Sequence, residues 1–247
     1  MTAALSPELA VELLVIGGGT AGLVAAKTAA RFGANTLLVE GHRMGGDCLW
    51  TGCVPSKSLI AAADLAARAR DGARLGVTVD GLRVDFAAVM RHVHAAIHEI
   101  EPADSAEVVE ETGARVVMGH ARFTGPRSAE VAALDGSPPL TVRFRQAIIA
   151  TGSAPEVPDL PGIDALEVLT SDNVWDLVAQ PQRLAVLGAG AIGSELSQAF
   201  ARLGTRVTVV QRNARVLPKE DPDASALVAA AMARDGIDVR VSTTVER

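Results

Sequence analysis

A glycine-rich turn that occurs twice is the feature that most limits how this 247-residue chain can fold. The first, G-x-G-x-x-G at Gly17, Gly19 and Gly22, follows a short apolar run at 12–16 and opens an Ala-rich stretch, 20–31, of good helix propensity. Gly33 marks the stop of that helix, and 35–40 reads as a second buried strand, so the segment is a βαβ unit. The pattern returns with a strand at 184–187, a turn at Gly188, Gly190 and Gly193, a helix at 194–202 and a strand at 206–210. Gly17 with Gly188, Gly33 with Gly204, and Glu40 with Gln211 all stand at one constant offset. In such a turn the first glycine permits the tight bend, the second lets a pyrophosphate approach the backbone, and the third lets helix and strand pack closely. Unpaired N–H groups and the positive dipole end at the helix start favour phosphates. Glu40 ends its strand where a carboxylate can accept hydrogen bonds from ribose hydroxyls. The expected fold is α/β, with two Rossmann-like three-layer nucleotide-binding units. The second is expected to be incomplete, because the chain reaches Arg247 just after a third strand at 237–241.

Between the two units the sequence reads as helical at 55–70 and 86–111, then strand-like at 115–123 and 140–149. Pro155, Pro158 and Pro161 make 153–162 the expected linker. This gives a first domain at 1–152, including the helical excursion 55–111, and a second at 163–247. Hydrophobic residues at 49% against 21% charged are enough for a sizeable core, built from Ala, Val, Leu and Ile because aromatics are only 3%. A net charge of −6, with no offsetting basic stripe, disfavours nucleic acid and anionic membranes as partners. The N-terminal apolar run is too short for a membrane span and lacks the basic start and cleavage site of a signal peptide, so a cytoplasmic location is expected.

Cys48 and Cys53 are the only cysteines. A close pair in a reducing compartment points to redox or metal chemistry rather than to a structural disulfide. Five residues advance about 500° on a regular helix, so the two are not simple helical neighbours. The Thr51-Gly52 step can distort the turn enough to bring the sulfurs within bonding distance. Pro55 suits a first helical turn, and a thiolate near that helix start is favoured by the dipole and by Lys57. A zinc site needs about four ligands, and no second cysteine pair supplies them. His94 and His98 share a helical face with Glu101 nearby, but a solvated face is the plainer reading, and no metal site is expected.

The segment GGDCLWTGCVPSK, Gly45 to Lys57, resembles the redox-active disulfide signature of the FAD-dependent pyridine nucleotide–disulfide oxidoreductases, the family of glutathione, dihydrolipoamide and mercuric reductases. GGDC and the later GHARF look most similar to the mercuric-reductase-like branch. The resemblance implies FAD on the first glycine turn and a redox disulfide between Cys48, the interchange thiol that attacks substrate, and Cys53, the charge-transfer thiol against the flavin ring. It implies that Lys57 stabilises the reduced flavin's negative charge and pairs with Glu195 across the domain interface. The FAD-lining set it implies comprises Gly17, Gly19, Thr20, Ala21, Gly22, Glu40, Gly41, Gly46, Asp47, Cys48, Cys53 and Lys57. His120 and Ala121, at the adenosine end, and the A-T-G segment Ala150, Thr151 and Gly152 complete it.

By the same resemblance the second turn binds the nicotinamide nucleotide through Gly188, Gly190, Ile192, Gly193, Glu195, Gln211, Arg212 and Arg215. Where the first copy has Glu40, the second has Gln211 followed by Arg212 and Arg215. Loss of the acid removes repulsion toward a 2′-phosphate and the arginines can bind it, which favours NADPH, with NADH still possible. Full-length members of the family are homodimers that act on small-molecule acceptors. They carry a dimerisation domain that is expected to be absent here, so the resemblance is read as covering their N-terminal part only. The implied activity is NADPH to FAD to the Cys48–Cys53 disulfide to a disulfide or Hg(II)-type acceptor. The alternatives are a dihydrolipoamide dehydrogenase-like enzyme using NAD, or a non-catalytic FAD-binding fragment that needs a partner chain.

Overall fold

The computed structural model describes residues 8–246. The first seven residues, read above for a targeting segment, and Arg247 lie outside the described residues. In chain order the elements begin with β1 (Glu8–Ile16), α1 (Thr20–Arg31), β2 (Thr36–Glu40), α2 (Gly46–Trp50) and α3 (Cys53–Asp71). They continue with α4 (Phe86–Ile100), α5 (Ala106–Glu110), β3 (Arg115–Gly125), β4 (Ser128–Ala133) and β5 (Leu140–Ile149). The last are β6 (Arg183–Leu187), α6 (Ala191–Leu203), β7 (Arg206–Val210), α7 (Pro222–Arg234) and β8 (Asp238–Arg240). The chain forms two compact units. One takes the chain up to Cys53 together with Ile97–Ala154, and the other takes Val54–Ala96 and the chain from Pro155 onward.

In the first unit β1 lies between β2 and β5, parallel to both, and β2 pairs in parallel with the opening residues of β3. Beyond Met118, β3 turns to pair antiparallel with β4, which pairs antiparallel with the start of β5, so the pairings close into a ring. Successive side chains of a strand point to opposite faces, and both faces are buried here. Leu14, Leu37 and Val39 pack with Val131, Val142 and Phe144, while Val15 and Leu38 pack with Leu23, Ala26 and Ala30 of α1 and Val109 of α5. Two cores on either side of one sheet explain why β1 and β2 read as continuous apolar runs.

The second unit carries a parallel sheet in the order β6-β7-β8, with α6 and α7 as its crossovers. Phe200 of α6 is fully buried against Phe86, ring centroids 6.0 Å apart. Arg202 bonds to Asp64 and, at 3.0 Å, to Asp235, which also accepts from Gln198 at 2.8 Å. These contacts, with His94 against the Trp175 carbonyl at 3.0 Å, give the helical stretch 54–96 its packing partners inside the second unit. That apportionment differs from the sequence-based boundaries, which kept 55–111 in the first domain. The reading of 86–111 as one helical region also changes. A 3-10 turn at Glu101–Asp104 interrupts it at Pro102, which has no N–H to continue the helical ladder. Among the described residues, no helix is long and apolar enough to cross a membrane.

Candidate functional site

In the first unit the sequence-marked residues gather at the carboxyl ends of parallel strands, the place where open α/β sheets bind ligands. Gly17 follows β1, Glu40 ends β2, Gly119 and His120 follow the parallel part of β3, and Ala150 follows β5. Gly17 has φ of +105°, a left-handed backbone that side chains other than glycine's resist. A Cβ on Gly22 would stand 1.8 Å from the Gly17 carbonyl oxygen, so the missing side chain is what lets α1 seat on the turn. Gly19 caps α1 with extended backbone and no side-chain hydrogen bond, and no acidic residue stands in the first turn. The N–H groups of Thr20, Ala21 and Gly22 are therefore left for an anion, with no carboxylate in the helix's own first turn to compete for them. Glu40 is held in place by two backbone donors, the N–H of Gly18 and, at 2.7 Å, that of His42. Those bonds leave lone pairs on its carboxylate for ribose hydroxyls. The donor set and the vacated Cβ positions fit the pyrophosphate and ribose of a dinucleotide.

The cysteine segment is stitched to this same turn. Gly45 donates to the Gly18 carbonyl at 3.0 Å and pairs with Gly19 in an isolated parallel bridge. A Cβ on Gly46 would come within 2.5 Å of the Gly19 Cα. Asp47, Cys48 and Trp50 lie on α2, whose end is marked by Thr51 donating its N–H to the Asp47 carbonyl at 2.9 Å. Gly52 then folds back so closely that a Cβ there would meet the Asp47 carbonyl oxygen at 2.8 Å and the Cys48 Cα at 3.3 Å. Cys53 starts α3 directly afterwards. The two cysteines thus sit on two helices joined by a tight reversal, Cys48 half-buried and Cys53 exposed, both in the unbonded state, the reduced form of a redox pair.

His120 is exposed and its ring leans on Gly41, where a Cβ would meet Nδ1 at 2.8 Å; Ala121 is half-buried beside it. Ala150 donates to the Ile16 carbonyl at 2.7 Å, and Thr151 and Gly152 follow it exposed. The Asp47 carboxylate lies beside Gly152, 3.5 Å from where a Cβ would stand. Sequence reasoning missed the clamp behind the cysteines. Trp50 donates its indole N–H to the Met44 carbonyl at 2.7 Å, and the Arg43 guanidinium sits 4.1 Å above its ring. A tryptophan between two cysteines was the available signal.

In the second unit the same steric logic recurs. Gly188 has φ of +100°, Gly190 caps α6 without a side-chain bond, and a Cβ on Gly193 would stand 2.2 Å from the Gly188 carbonyl oxygen. Ile192 is 61% exposed on the first turn of α6. A cleft of about 320 Å³ opens at the carboxyl ends of β6 and β7, lined by Leu187, Gly188, Gln211, Arg212, Pro158 and Thr243 among others. Gln211 is buried, with Nε2 3.5 Å from the Arg215 carbonyl. Arg215 turns inward and donates to the Pro218 and Glu220 carbonyls, both at 3.0 Å, so of the two arginines only Arg212 lines the cleft. Lys57 Nζ lies 3.1 Å from Glu195 Oε2, with side chains 62% and 46% exposed, and both residues belong to this unit rather than to two domains. His94 and His98 turn to different partners, the Trp175 carbonyl and Glu101.

Comparison with known proteins shows which family and fold the chain resembles. The family described as pyridine nucleotide-disulphide oxidoreductase matches residues 11–247. A mercuric reductase of Lysinibacillus sphaericus is 33% identical over 236 residues, covering 96% of this chain and 42% of its own. Dihydrolipoyl dehydrogenase 2 of Haloarcula marismortui is 39% identical over 230 residues, covering 92% and 48%. Among solved structures, the Cu(II) complex of the HOCl-induced flavoprotein disulfide reductase RclA from Escherichia coli superposes with a TM-score of 0.80 at 27% identity, over 96% of this chain and 50% of that one. The chain therefore spans about half the length of the relatives it matches.

Proposed function

This chain belongs to the pyridine nucleotide-disulphide oxidoreductase family, and from that premise we propose that it passes electrons from NADPH through FAD to the Cys48–Cys53 pair and on to a small disulfide or a thiophilic metal ion such as Hg(II). The observation that carries this reading is the direct stitching of the cysteine segment to the first glycine turn, Gly45 to Gly18 and Gly46 onto Gly19. When bound, FAD supplies the two-electron relay between a nicotinamide nucleotide and a disulfide. The protein's own residues do the rest. The Gly17–Gly22 turn and the start of α1 hold the phosphates, with Glu40 at the ribose. Cys48, as thiolate, attacks one sulfur of the acceptor disulfide and releases the first thiol; Cys53 then attacks the Cys48 sulfur, releases the second thiol and closes the Cys48–Cys53 disulfide. Two electrons leave the dithiol and two thiols form, so the exchange balances. We assign the nicotinamide nucleotide to the cleft beside Gly188, with Arg212 reading a 2′-phosphate, and place the chemistry in the reducing cytoplasm.

A charge-transfer band on anaerobic two-electron reduction tests the assignment. The flavin-loaded protein should gain long-wavelength absorbance that Cys53→Ser abolishes and Cys48→Ala keeps. Absence of the band, or of bound flavin, sinks it. Identity of 39% to a dihydrolipoyl dehydrogenase supports a second reading, an NAD-linked enzyme oxidising a dithiol. Reduction of NAD⁺ by dihydrolipoamide, with no NADPH-driven acceptor reduction, would favour it.

A further inference from the structure

Among the described residues, two that are not glycine adopt a left-handed backbone: Leu217, with φ of +45°, and Ser242, with φ of +50°. Such residues are uncommon and tend to cluster at ligand clamps, where the surrounding structure over-determines them. Leu217 is doubly constrained, because Pro218 follows it and a residue before proline is pushed toward extended backbone with negative φ. Both residues belong to the loops that follow β7 and β8 at the carboxyl ends of the second unit's sheet. The first elements of that unit, and the whole of the other unit, have no counterpart among the described residues.

Their hydrogen bonds explain the coincidence. Leu217 donates its N–H to the carbonyl of Ala189, the middle residue of the second glycine turn, at 2.7 Å. Ser242 donates to the Asn213 carbonyl at 2.9 Å, and Thr243 to the Gln211 carbonyl at 3.0 Å. The glycine turn, the loop after β7 and the loop after β8 are thereby tied in series around the cleft that Gly188, Gln211, Arg212 and Thr243 line. Arg215 stiffens the middle loop from inside through the Pro218 and Glu220 carbonyls, and Ser225 donates its hydroxyl to the Val216 carbonyl at 2.6 Å.

We propose that Leu217 and Ser242 are positioning residues of the nicotinamide-nucleotide cleft, holding three loops in the shape that receives the nucleotide before it arrives. This rests on the reading of that cleft given above. A β-carbon at a left-handed position raises the energy of the loop but leaves it few alternative conformations, so the ligand does not have to order the rim. Glycine at the same position relieves the strain and frees the rim at once. Loop order and strain relief therefore move affinity and thermal stability in different directions, which a merely structural residue would not do.

The experiment titrates the purified full chain with NADPH, following the nucleotide's fluorescence, alongside melting curves, for the wild type, Ser242→Gly, Ser242→Asn and Leu217→Gly. Ser242 is exposed, so its glycine variant removes no core packing. Asparagine tolerates the left-handed region while keeping a β-carbon. The expected result is NADPH binding weakened about five- to tenfold in both glycine variants, with the Ser242→Gly melting temperature unchanged or raised and Ser242→Asn binding like the wild type. Wild-type affinity in Ser242→Gly, or an affinity loss in Ser242→Asn equal to that in Ser242→Gly, overturns the positioning role while leaving the cleft's assignment intact. Failure of the wild type itself to bind NADPH or NADH refutes the cleft's assignment, and the positioning role falls with it.

Discussion

Replacing Gly22 with alanine separates the two nucleotide sites most sharply. The new Cβ would stand 1.8 Å from the Gly17 carbonyl oxygen, 2.9 Å from the Gly17 carbonyl carbon and 3.4 Å from Val15 Cγ1. The closest neighbour is backbone, so no side chain can swing away. To reach even the 3.0 Å floor of real Cβ contacts, the start of α1 must retreat from the turn by about 1.2 Å. That retreat carries the N–H groups of Thr20, Ala21 and Gly22 with it. Weakening the hydrogen bonds from those N–H groups to a charged phosphate costs about 1.5–3 kcal/mol, roughly a 10- to 150-fold loss of flavin affinity. Flavin content after purification and an FAD titration of stripped protein measure it. Gly193→Ala, whose Cβ would stand 2.2 Å from the Gly188 carbonyl oxygen, should instead keep flavin and lose nicotinamide-nucleotide affinity. Gly33→Ala is the control. With φ of +87° and nothing within 4 Å, it should lower stability by about 1 kcal/mol without touching either ligand. If Gly22→Ala retains wild-type flavin affinity, the steric account of the third glycine is wrong.

Arg212→Ala should weaken NADPH about tenfold and leave NADH unchanged in parallel titrations, whereas Arg215→Ala should destabilise the unit by about 0.5–1.5 kcal/mol in denaturant melts by releasing the half-buried Pro218 and exposed Glu220 carbonyls to water. Equal effects of the two substitutions on NADPH would contradict the division of labour seen in the cleft. A double-mutant cycle with Lys57→Met and Glu195→Gln should give a coupling of only about 0.2–1 kcal/mol, fading with added salt, because both side chains are well exposed, at 62% and 46%. A coupling above about 2 kcal/mol would mean that the pair is shielded from water in a way the structure does not show. Trp50→Phe should cost about 1 kcal/mol by removing the indole bond to the Met44 carbonyl while keeping a ring under Arg43. Limited proteolysis should then cut faster within 43–53, and an unchanged rate would count against the clamp.

What the sequence by itself determined rests on short-range stereochemistry, although the break at Pro102 within 86–111 was overlooked. Helix α1 at Thr20–Arg31, strand β7 at Arg206–Val210 and strand β5 at Leu140–Ile149 stand where propensity and apolar runs put them, and the paired glycine caps Gly19 and Gly190 follow from the repeat. The reversal between Cys48 and Cys53 was legible because a glycine stands where the chain must fold over its own backbone. Strand β4 was not legible. Its sequence, SAEVAA, is short and alanine-rich, and it becomes a strand only because β3 and β5 offer it hydrogen bonds on both edges. The pattern of residues also did not say which arginine lines the cleft: Arg215 is turned back onto the Pro218 and Glu220 carbonyls of its own loop, and Arg212 is left to line it. Tertiary structure alone decided that 54–96 packs with the second unit, through Asp64 to Arg202 and Phe86 to Phe200. Left-handed backbone at Leu217 and Ser242 likewise has no local signal, because neither residue prefers that conformation. Contacts between segments distant in the chain impose it, and a one-dimensional pattern holds no record of them.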